Sequence, residues 1–600
     1  MEQKNKIRQR SQIPPEDKWA IEDLYPTDEA WDAELATVAE DREYLASFNG
    51  NLKNAGQLLD FLTRVEALNV KADRLGNYCM RKSDEDTRNA AYQAMQGKYM
   101  SEMVALGAAT SFDTPQIMAI DENELEGFYR LCPQLERYRR YLTELRRRKA
   151  HTLSEAEEML LAAAGEMSQT PDTVYGAFAD ADLKFADAVD GEGKSHPLTQ
   201  GTFVRLEENA DRVLRKSAYE NLYDAFGGFR NTAAAILNGQ NKQLKFFAEA
   251  RKYPTAFARS LDRTNVPTSV YDNLIEAVHR NLDKMHRYVR LRKKLLGVEQ
   301  LHFYDIYTPL VADVDKEIPY SEARQTIYEA MAPLGEGYRA ILKEGFENRW
   351  IDVYQNVGKR SGAYSAGAAV HPFVLLNYSG SLDSQFTLAH EMGHAIHSYL
   401  SNQHQTPMDA DYVIFVAEVA STCNEALLME YLLGKTTDKR ERAYLINHFL
   451  DQFKGTIYRQ TMFAEFERNI GTMVARGETL TADVLCGEYK RLNELYYGPD
   501  MVVDDRIAME WARIPHFYYN YYVFQYATGY AAAIAISRRI LSEGAPAVQD
   551  YLNFLSGGCS KSPIELLKGA GVDMTGPEPV NNALALFGAL LDEMEALMED

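Results

Sequence analysis

The segment Thr387-Leu388-Ala389-His390-Glu391-Met392-Gly393-His394-Ala395-Ile396-His397 contains the spacing H-E-x-x-H. On a helix, His390 and His394 are four residues apart and share one face, so both imidazoles can bind one metal ion. Glu391 lies about 100° further around the helix axis, where it can act as a general base for a metal-activated water. The pattern predicts a catalytic metal site on a helix, against the alternative of two unrelated surface histidines.

A third metal ligand is expected on a separate helix. The apolar run Val413–Ser421 contains one acidic residue, Glu418. A carboxylate in so apolar a run is costly unless it is paired, hydrogen-bonded or bound to a metal. Two imidazoles and one carboxylate leave the fourth position of a zinc ion for water, which is the catalytic arrangement.

Two further residues are candidates for a supporting role around the ligands. Glu425 lies seven residues after Glu418 and so on the same face, where it can hydrogen-bond a ligand imidazole. The alternative is an ordinary carboxylate with another partner. His397 shares the face of His390 and His394, but as a fourth ligand it would close the open position, so we predict that it hydrogen-bonds a ligand or packs beside the site.

An aromatic stretch near the C-terminus, Ile514–Tyr530, is the second candidate region. It contains one histidine, His516, and six tyrosines in the fifteen residues His516–Tyr530. A helix would place Tyr519, Tyr522 and Tyr526 on one face. Phenol and imidazole donors can stabilise the oxyanion of a peptidase, so we predict an oxyanion and substrate-binding surface here. The alternative is aromatic packing.

Two segments before the motif are candidates for binding peptide backbone. Phe373–Tyr378 is predicted as a strand, and as an edge strand it could pair with an extended peptide. Asn377 and Tyr378 at its end are candidate substrate-binding residues. Gly358–Tyr364, with Gly358, Gly362 and Tyr364, is predicted as a loop that contacts peptide, against the alternative of an ordinary turn.

Composition excludes several classes of function. The 600 residues include 65 Lys+Arg against 87 Asp+Glu, a net charge of −22, which disfavours binding to nucleic acid and to anionic membranes. No apolar run approaches the roughly 18 residues of a membrane span. The five cysteines form no CxxC pair, and no signal peptide is recognisable, so we expect a cytoplasmic protein.

Most of the chain is predicted to be helical. Apolar residues recur at spacings of three and four through residues 27–150. The exception is a predicted β-hairpin with strands in Asp182–Val189 and Lys194–Thr199, which would join an N-terminal helical region to a larger C-terminal one.

With these residues in hand, the chain resembles the oligoendopeptidase F group of the thimet-oligopeptidase family of zinc peptidases. The resemblance covers nearly the whole chain, and its segments are Trp19–Pro26, Ala258–Asp262, Val266–Leu274, Leu301–Asp305, Gly358–His397, Ala417–Thr422 and His516–Gly529. Several independent motifs in the right order are far more specific than H-E-x-x-H alone.

The resemblance implies a mainly α fold, with two helical lobes that enclose a channel, a small β-sheet and a thermolysin-like zinc site. It implies an N-terminal region at 1–200 and a catalytic domain at 201–600. It also implies that the zinc ligands are His390, His394 and Glu418, that Glu391 is catalytic, and that substrate contacts come from His516 and the tyrosines after it.

We therefore expect one Zn²⁺ per chain and a zinc-dependent endopeptidase that acts on short oligopeptides. Two alternatives stay open at this point. One is a non-catalytic peptide-binding or chaperone-like protein that keeps zinc for structure. The other is a peptidase of different length preference, such as a carboxydipeptidase.

Overall fold

The fold is mainly α-helical, as predicted. The structure, a computed structural model, describes residues 7–311 and 317–599. In the first half the helices are α1 (Asp28–Ala46), α2 (Ala55–Glu85), α3 (Ala90–Thr110), α4 (Asp113–Ala119), α5 (Glu122–Leu131), α6 (Arg139–Arg147), α7 (Glu155–Ser168), α8 (Thr170–Gly176), α9 (Gln200–Glu207), α10 (Arg212–Gly227), α11 (Arg230–Ala250), α12 (Ala256–Asp262), α13 (Thr268–His279) and α14 (Leu282–Leu295). In the second half they are α15 (Tyr320–Ala330), α16 (Gly335–Glu347), α17 (Leu382–His404), α18 (Ile414–Lys435), α19 (Lys439–Phe453), α20 (Arg459–Ala475), α21 (Ala482–Tyr497), α22 (Phe524–Glu543), α23 (Ala545–Leu555), α24 (Pro563–Gly569) and α25 (Glu578–Glu599).

The strands are short and form three small sheets. They are β1 (Ala188–Val189), β2 (Ser195–His196), β3 (Leu301–His302), β4 (Ile351–Asp352), β5 (Tyr364–Ala366), β6 (Phe373–Leu375) and β7 (Met501–Val502). β1 pairs antiparallel with β2, β3 pairs parallel with β7, and the third sheet has the order β4-β6-β5. The predicted hairpin is confirmed at β1 and β2, with shorter strands than expected.

The expectation that Phe373–Tyr378 forms an edge strand is wrong. The strand is β6, it ends at Leu375, and it lies in the middle of its sheet, parallel to β4 and antiparallel to β5. All three of its residues are buried. An unbroken apolar run is typical of a strand covered on both faces, and here both of its edges are also paired. The sheet edges belong to β4 and β5.

The chain divides into two compact units, each formed by three separate stretches. The first unit comprises residues 1–150, 316–431 and 536–571, and the second comprises 151–315, 432–535 and 572–600. The expected division into an N-terminal region at 1–200 and a catalytic domain at 201–600 stays a prediction.

In the first unit, α1, α2 and α3 pack around a core that also includes the buried face of β6. Asn54 caps α2, because its side chain accepts a hydrogen bond from the Gln57 N–H at 3.0 Å. The indole of Trp31 on α1, which is fully buried, donates to the Leu75 carbonyl of α2 at 2.9 Å. Phe373 and Leu375 belong to the same apolar cluster, so the sheet that precedes α17 is fixed against the helices.

In the second unit, a buried ion pair fixes the start of α10. Asp305, which is fully buried, accepts hydrogen bonds from Arg212 and Arg215, each at 2.9 Å. Although burial opposes ionisation, these arginines hold the pKa of Asp305 below its usual value.

None of the described helices combines the length and the apolar character that a membrane span requires.

Candidate active site

The H-E-x-x-H motif lies in the middle of α17, a helix of 23 residues that begins with Ser381 as its N-cap. His390 and His394 face the same side, with their Nε2 atoms 3.2 Å apart. Glu418, from the first turns of α18, places Oε2 at 3.3 Å from each of these nitrogens. These three residues, called here the ligand triad, form a group suited to hold a metal ion.

The spacing of the ligand triad fits a tetrahedral zinc ion. Ligand atoms at roughly 2.0–2.1 Å from one tetrahedral centre lie about 3.3 Å from one another, which matches the three separations above. Two imidazole nitrogens and one carboxylate oxygen are also the donor types that suit zinc. A fourth direction is left to a water molecule or a substrate.

Glu425 orients one ligand imidazole. Its Oε1 accepts a hydrogen bond from Nδ1 of His390 at 2.5 Å. This contact directs Nε2 of His390 toward Glu418 and makes the imidazole a stronger metal donor. Glu418 is itself held by the Ser421 hydroxyl, which donates to its Oε2 at 3.1 Å.

Glu391 lies beside the ligand triad and is buried, with 7% of its surface exposed. Burial raises the pKa of its carboxyl group, although the imidazoles of His390 and His394 act in the opposite direction. A carboxyl group whose pKa is moved toward neutrality can both accept and return a proton, as a general base requires.

The helices that carry the ligands touch through their backbones at Gly393. A Cβ atom on this residue would lie 2.6 Å from Cα of Ser421 and 2.7 Å from the Ala420 carbonyl oxygen. Nearby, Asn424 on α18 donates to the Ala389 carbonyl of α17 at 3.1 Å. Sequence reasoning missed both residues. The one available signal was a glycine inside a helix, which lowers helix propensity and often has a packing reason.

His397 packs against an aromatic ring and is not part of the ligand triad. Its ring stacks on Tyr412 at a centroid distance of 3.7 Å and an angle of 6°. Burial lowers the pKa of this imidazole to about 3, so it is neutral. Its Nδ1 has no hydrogen-bond partner among the described residues.

The loop Gly358–Tyr364 is held in shape by Asn377, one of the residues predicted to bind substrate. Gly358 and Gly362 both adopt left-handed backbone conformations, with φ of 84° and 81°. The Asn377 side chain donates to the carbonyls of Arg360 and Gly362 at 3.0 and 2.8 Å. Tyr364 donates to Asp84, and Tyr378 donates to the Ile318 carbonyl at 2.8 Å. Their assignment to peptide binding stays a prediction.

The second candidate region, in the second unit, is not a continuous helix. Pro515–Tyr518 forms a short 3₁₀-helix and α22 begins only at Phe524. The prediction that Tyr519, Tyr522 and Tyr526 share one helical face is therefore wrong. Asn520 and Tyr521 take left-handed conformations, with φ of 65° and 55°, which end the helix and reverse the chain.

The turn nevertheless brings four aromatic side chains together, called here the aromatic cluster. The ring centroid of His516 lies 5.4 Å from that of Tyr519, 6.4 Å from Tyr522 and 6.2 Å from Tyr526. Tyr519 is 50% exposed, and the other three are half-buried. Burial lowers the pKa of His516, so the imidazole is neutral near pH 7 and offers one N–H donor.

Comparison with known proteins identifies close relatives of the whole chain. The sequence profile of Peptidase family M3 matches residues 205–586, and that of Oligopeptidase F matches residues 116–185. The chain is 44% identical to Oligopeptidase PepF of Bacillus subtilis, over 99% of this chain and 89% of that protein. It is 39% identical to an Oligoendopeptidase F homolog of Lactococcus lactis subsp. lactis, over 99% of each.

Solved structures with a similar fold come from the same group of proteins or from a related sequence. The oligoendopeptidase-F of Enterococcus faecium is 37% identical and superposes with a TM-score of 0.76, over 95% of this chain and 99% of that one. A structure from Chlamydophila abortus is 36% identical, with a TM-score of 0.92 over 99% of this chain and 100% of that one.

Proposed function

Because the chain belongs to peptidase family M3, in its oligoendopeptidase F group, and is a metallopeptidase, we propose that it is a zinc-dependent endopeptidase that hydrolyses internal bonds of short oligopeptides. The observation that carries this proposal is the ligand triad, whose spacing fits zinc, with Glu391 beside it. His390, His394 and Glu418 would hold one Zn²⁺, which supplies a Lewis acid and lowers the pKa of water.

The other residues of the site each have a separate role in the reaction. Glu391 accepts the proton of the attacking water and delivers it to the leaving amine. His516, Tyr519, Tyr522 and Tyr526 bind substrate and donate hydrogen bonds to the carbonyl oxygen as it gains negative charge. The loop Gly358–Tyr364, which Asn377 supports, contacts the peptide backbone together with Tyr378. Glu425 orients His390, and His397 supports α17 by packing.

The proposed setting is the cytoplasm. All five cysteines are free thiols, which suits a reducing compartment. The substrates are peptides, and the net charge of −22 argues against nucleic acid and anionic membranes as partners.

The decisive experiment is a quenched fluorescent peptide assay of Glu391→Gln. We expect kcat to fall at least about a hundredfold, because the general base is lost, while the zinc content after dialysis stays at the wild-type level. Asp383→Asn, an exposed substitution in the first turn of the same helix, is the matched control and should retain activity. Wild-type activity in Glu391→Gln would refute the assignment of the base.

The metal ligands are tested by metal analysis rather than by activity. We expect Glu418→Ala to lose zinc on dialysis, since one of three ligands is removed, whereas Glu430→Ala on the same helix keeps it. Unchanged zinc content in Glu418→Ala would remove this residue from the ligand set.

Mass spectrometry of cleavage products distinguishes the endopeptidase from the carboxydipeptidase alternative. Peptides blocked at both termini should be cut at internal bonds, and addition of a chelator should stop the reaction. Removal of dipeptides from free C-termini, with no cleavage of blocked peptides, would favour the alternative. Binding of peptides without any hydrolysis would favour a non-catalytic protein.

A further inference from the structure

Two consecutive non-glycine residues, Asn520 and Tyr521, adopt left-handed backbone conformations inside the aromatic cluster. This conformation is sterically unfavourable for residues with a side chain. Such strain persists only where the surrounding structure imposes it, and it is found at functional sites more often than elsewhere. Contacts from neighbouring helices must therefore hold these two residues in the left-handed conformation.

The backbone of the left-handed turn is held from α20 by Glu467. The Tyr521 N–H donates to Oε1 of Glu467 at 3.1 Å. Both residues are buried, with exposures of 5% for Glu467 and 6% for Tyr521. The second oxygen of Glu467 has no hydrogen-bond partner among the described residues. A buried carboxyl group with an unpartnered oxygen destabilises a fold, so stability of the core alone does not account for this residue.

The Tyr521 side chain is seated above Gly471, one turn after Glu467 on α20. A Cβ atom at position 471 would clash with the Tyr521 hydroxyl oxygen and lie 3.3 Å from its Cζ. The Tyr521 ring also packs on Phe257 and Tyr271, at centroid distances of 5.3 and 6.2 Å. Gly471 thus leaves the space that the phenol occupies.

A third contact fixes the residue before Tyr521. The Ser260 hydroxyl donates to Oδ1 of Asn520 at 2.6 Å. Just before the turn, Gln240 donates to the Tyr518 carbonyl at 3.0 Å. The turn is therefore fixed at Tyr518, Asn520 and Tyr521 by side chains from α11, α12 and α20, all in the second unit.

We propose that Glu467 and Gly471 are positioning residues for the aromatic cluster: they hold the left-handed turn and so set the relative placement of His516 and Tyr519 before it and Tyr522 and Tyr526 after it. The inference rests on the proposed function of the cluster in binding substrate and stabilising the oxyanion. Loss of either contact lets the turn relax and separates the donors on its two sides.

A double-variant cycle tests the role of Gly471. Gly471→Ala should place a methyl group on the Tyr521 hydroxyl, displace the turn and lower kcat at least about tenfold, since small misplacements of donors are costly. Tyr521→Phe removes that hydroxyl, so the double variant Gly471→Ala/Tyr521→Phe should recover most of the lost kcat. Zinc content should be unchanged throughout. Gly487→Ala, at a helical glycine with no atom within 4 Å of the added methyl, is the control and should behave as wild type.

Hydrogen exchange measured by mass spectrometry gives a readout independent of activity. Peptides that cover residues 516–526 should exchange faster in Gly471→Ala and return to wild-type protection in the double variant. Equal exchange and equal kcat in wild type and Gly471→Ala, or no recovery in the double variant, would overturn the role of Gly471.

Glu467 is tested by a pair of substitutions in case Gly471→Ala does not fold. Glu467→Gln keeps an oxygen acceptor for the Tyr521 N–H and should preserve kcat and exchange protection. Glu467→Leu removes the acceptor and should lose both. Identical behaviour of the two variants would overturn the role of Glu467. The two proposals fail separately: wild-type protein without zinc-dependent hydrolysis refutes the peptidase, whereas exchange that ignores these substitutions refutes the positioning residues.

Discussion

Glu467 is a buried acid in the second unit, and its ionisation makes the stability of the protein depend on pH. Burial raises its pKa from 4.5 to about 8, although the Tyr521 N–H favours the charged form. The titratable groups that sense its charge are the phenols of Tyr271 and Tyr521, on which Arg468 acts in the opposite direction. The folded protein therefore holds a proton here that the unfolded chain releases at lower pH.

This difference predicts a pH-dependent stability. The protonated carboxyl stabilises the fold fully below about pH 4.5, and the contribution, at most about 5 kcal/mol, is lost as pH rises through about 8. We expect the melting temperature of wild type to fall relative to that of Glu467→Gln across this range, as measured by differential scanning fluorimetry. Glu494→Gln, at an exposed position of α21, should run parallel to wild type. Parallel curves for Glu467→Gln would contradict the prediction.

At the same scale, local spacing was sufficient to predict the ligand triad. His390, His394 and Glu391 follow from helix periodicity, and Glu418 follows from the cost of a lone carboxylate in an apolar run. Glu467 and Gly393 could not be predicted in this way. Their roles depend on contacts with residues that are distant in sequence, Tyr521 and Ser421, and only the packing of separate helices creates those contacts.

Between elements, the contact of α17 with α18 at Gly393 limits how far Glu418 lies from His390 and His394. We expect Gly393→Ala to push the helices apart, to destabilise the fold by about 1–3 kcal/mol and to weaken zinc binding. Zinc affinity in competition with a chelator and the melting temperature measure the two effects. Gly97→Ala, at an open site of α3, controls for the general effect of alanine in a helix. Zinc affinity equal to wild type in Gly393→Ala would show that the contact does not set the ligand geometry.

Helices and turns differed in how well they could be predicted. The apolar periodicity of residues 27–150 identifies a helical region correctly, because each helix buries one face. The segment Tyr519–Val523 has good helical spacing but is not helical, because contacts from α20 and α12 impose the left-handed turn. β6 was predicted as a strand, but its place in the middle of the sheet depended on β4 and β5, which the sequence pattern did not reveal.

For the molecule as a whole, the net charge of −22 has a testable consequence for substrates. A negative protein attracts cationic peptides over a distance set by the ionic strength. We expect Lys/Arg-rich peptides to show higher kcat/KM than Asp/Glu-rich peptides with the same central residues. The difference should shrink between about 0.01 M and 1 M salt. If the preference for Lys/Arg-rich peptides did not change with salt, its cause would be local contacts with the peptide and not the net charge.

The division into two units also bears on the biosynthesis of the protein. A much later stretch of the first unit covers α17 and the loop after it: His397 on α17 lies 5.5 Å from Phe554 between ring centroids, and the Cys559 N–H donates to the Asp409 carbonyl in the loop at 2.7 Å. A ribosome that adds about 5–20 residues per second needs roughly 8–30 s to make the intervening chain. During that interval α17 exists without this cover, so the first unit cannot complete its fold until the stretch that ends at residue 571 has been made.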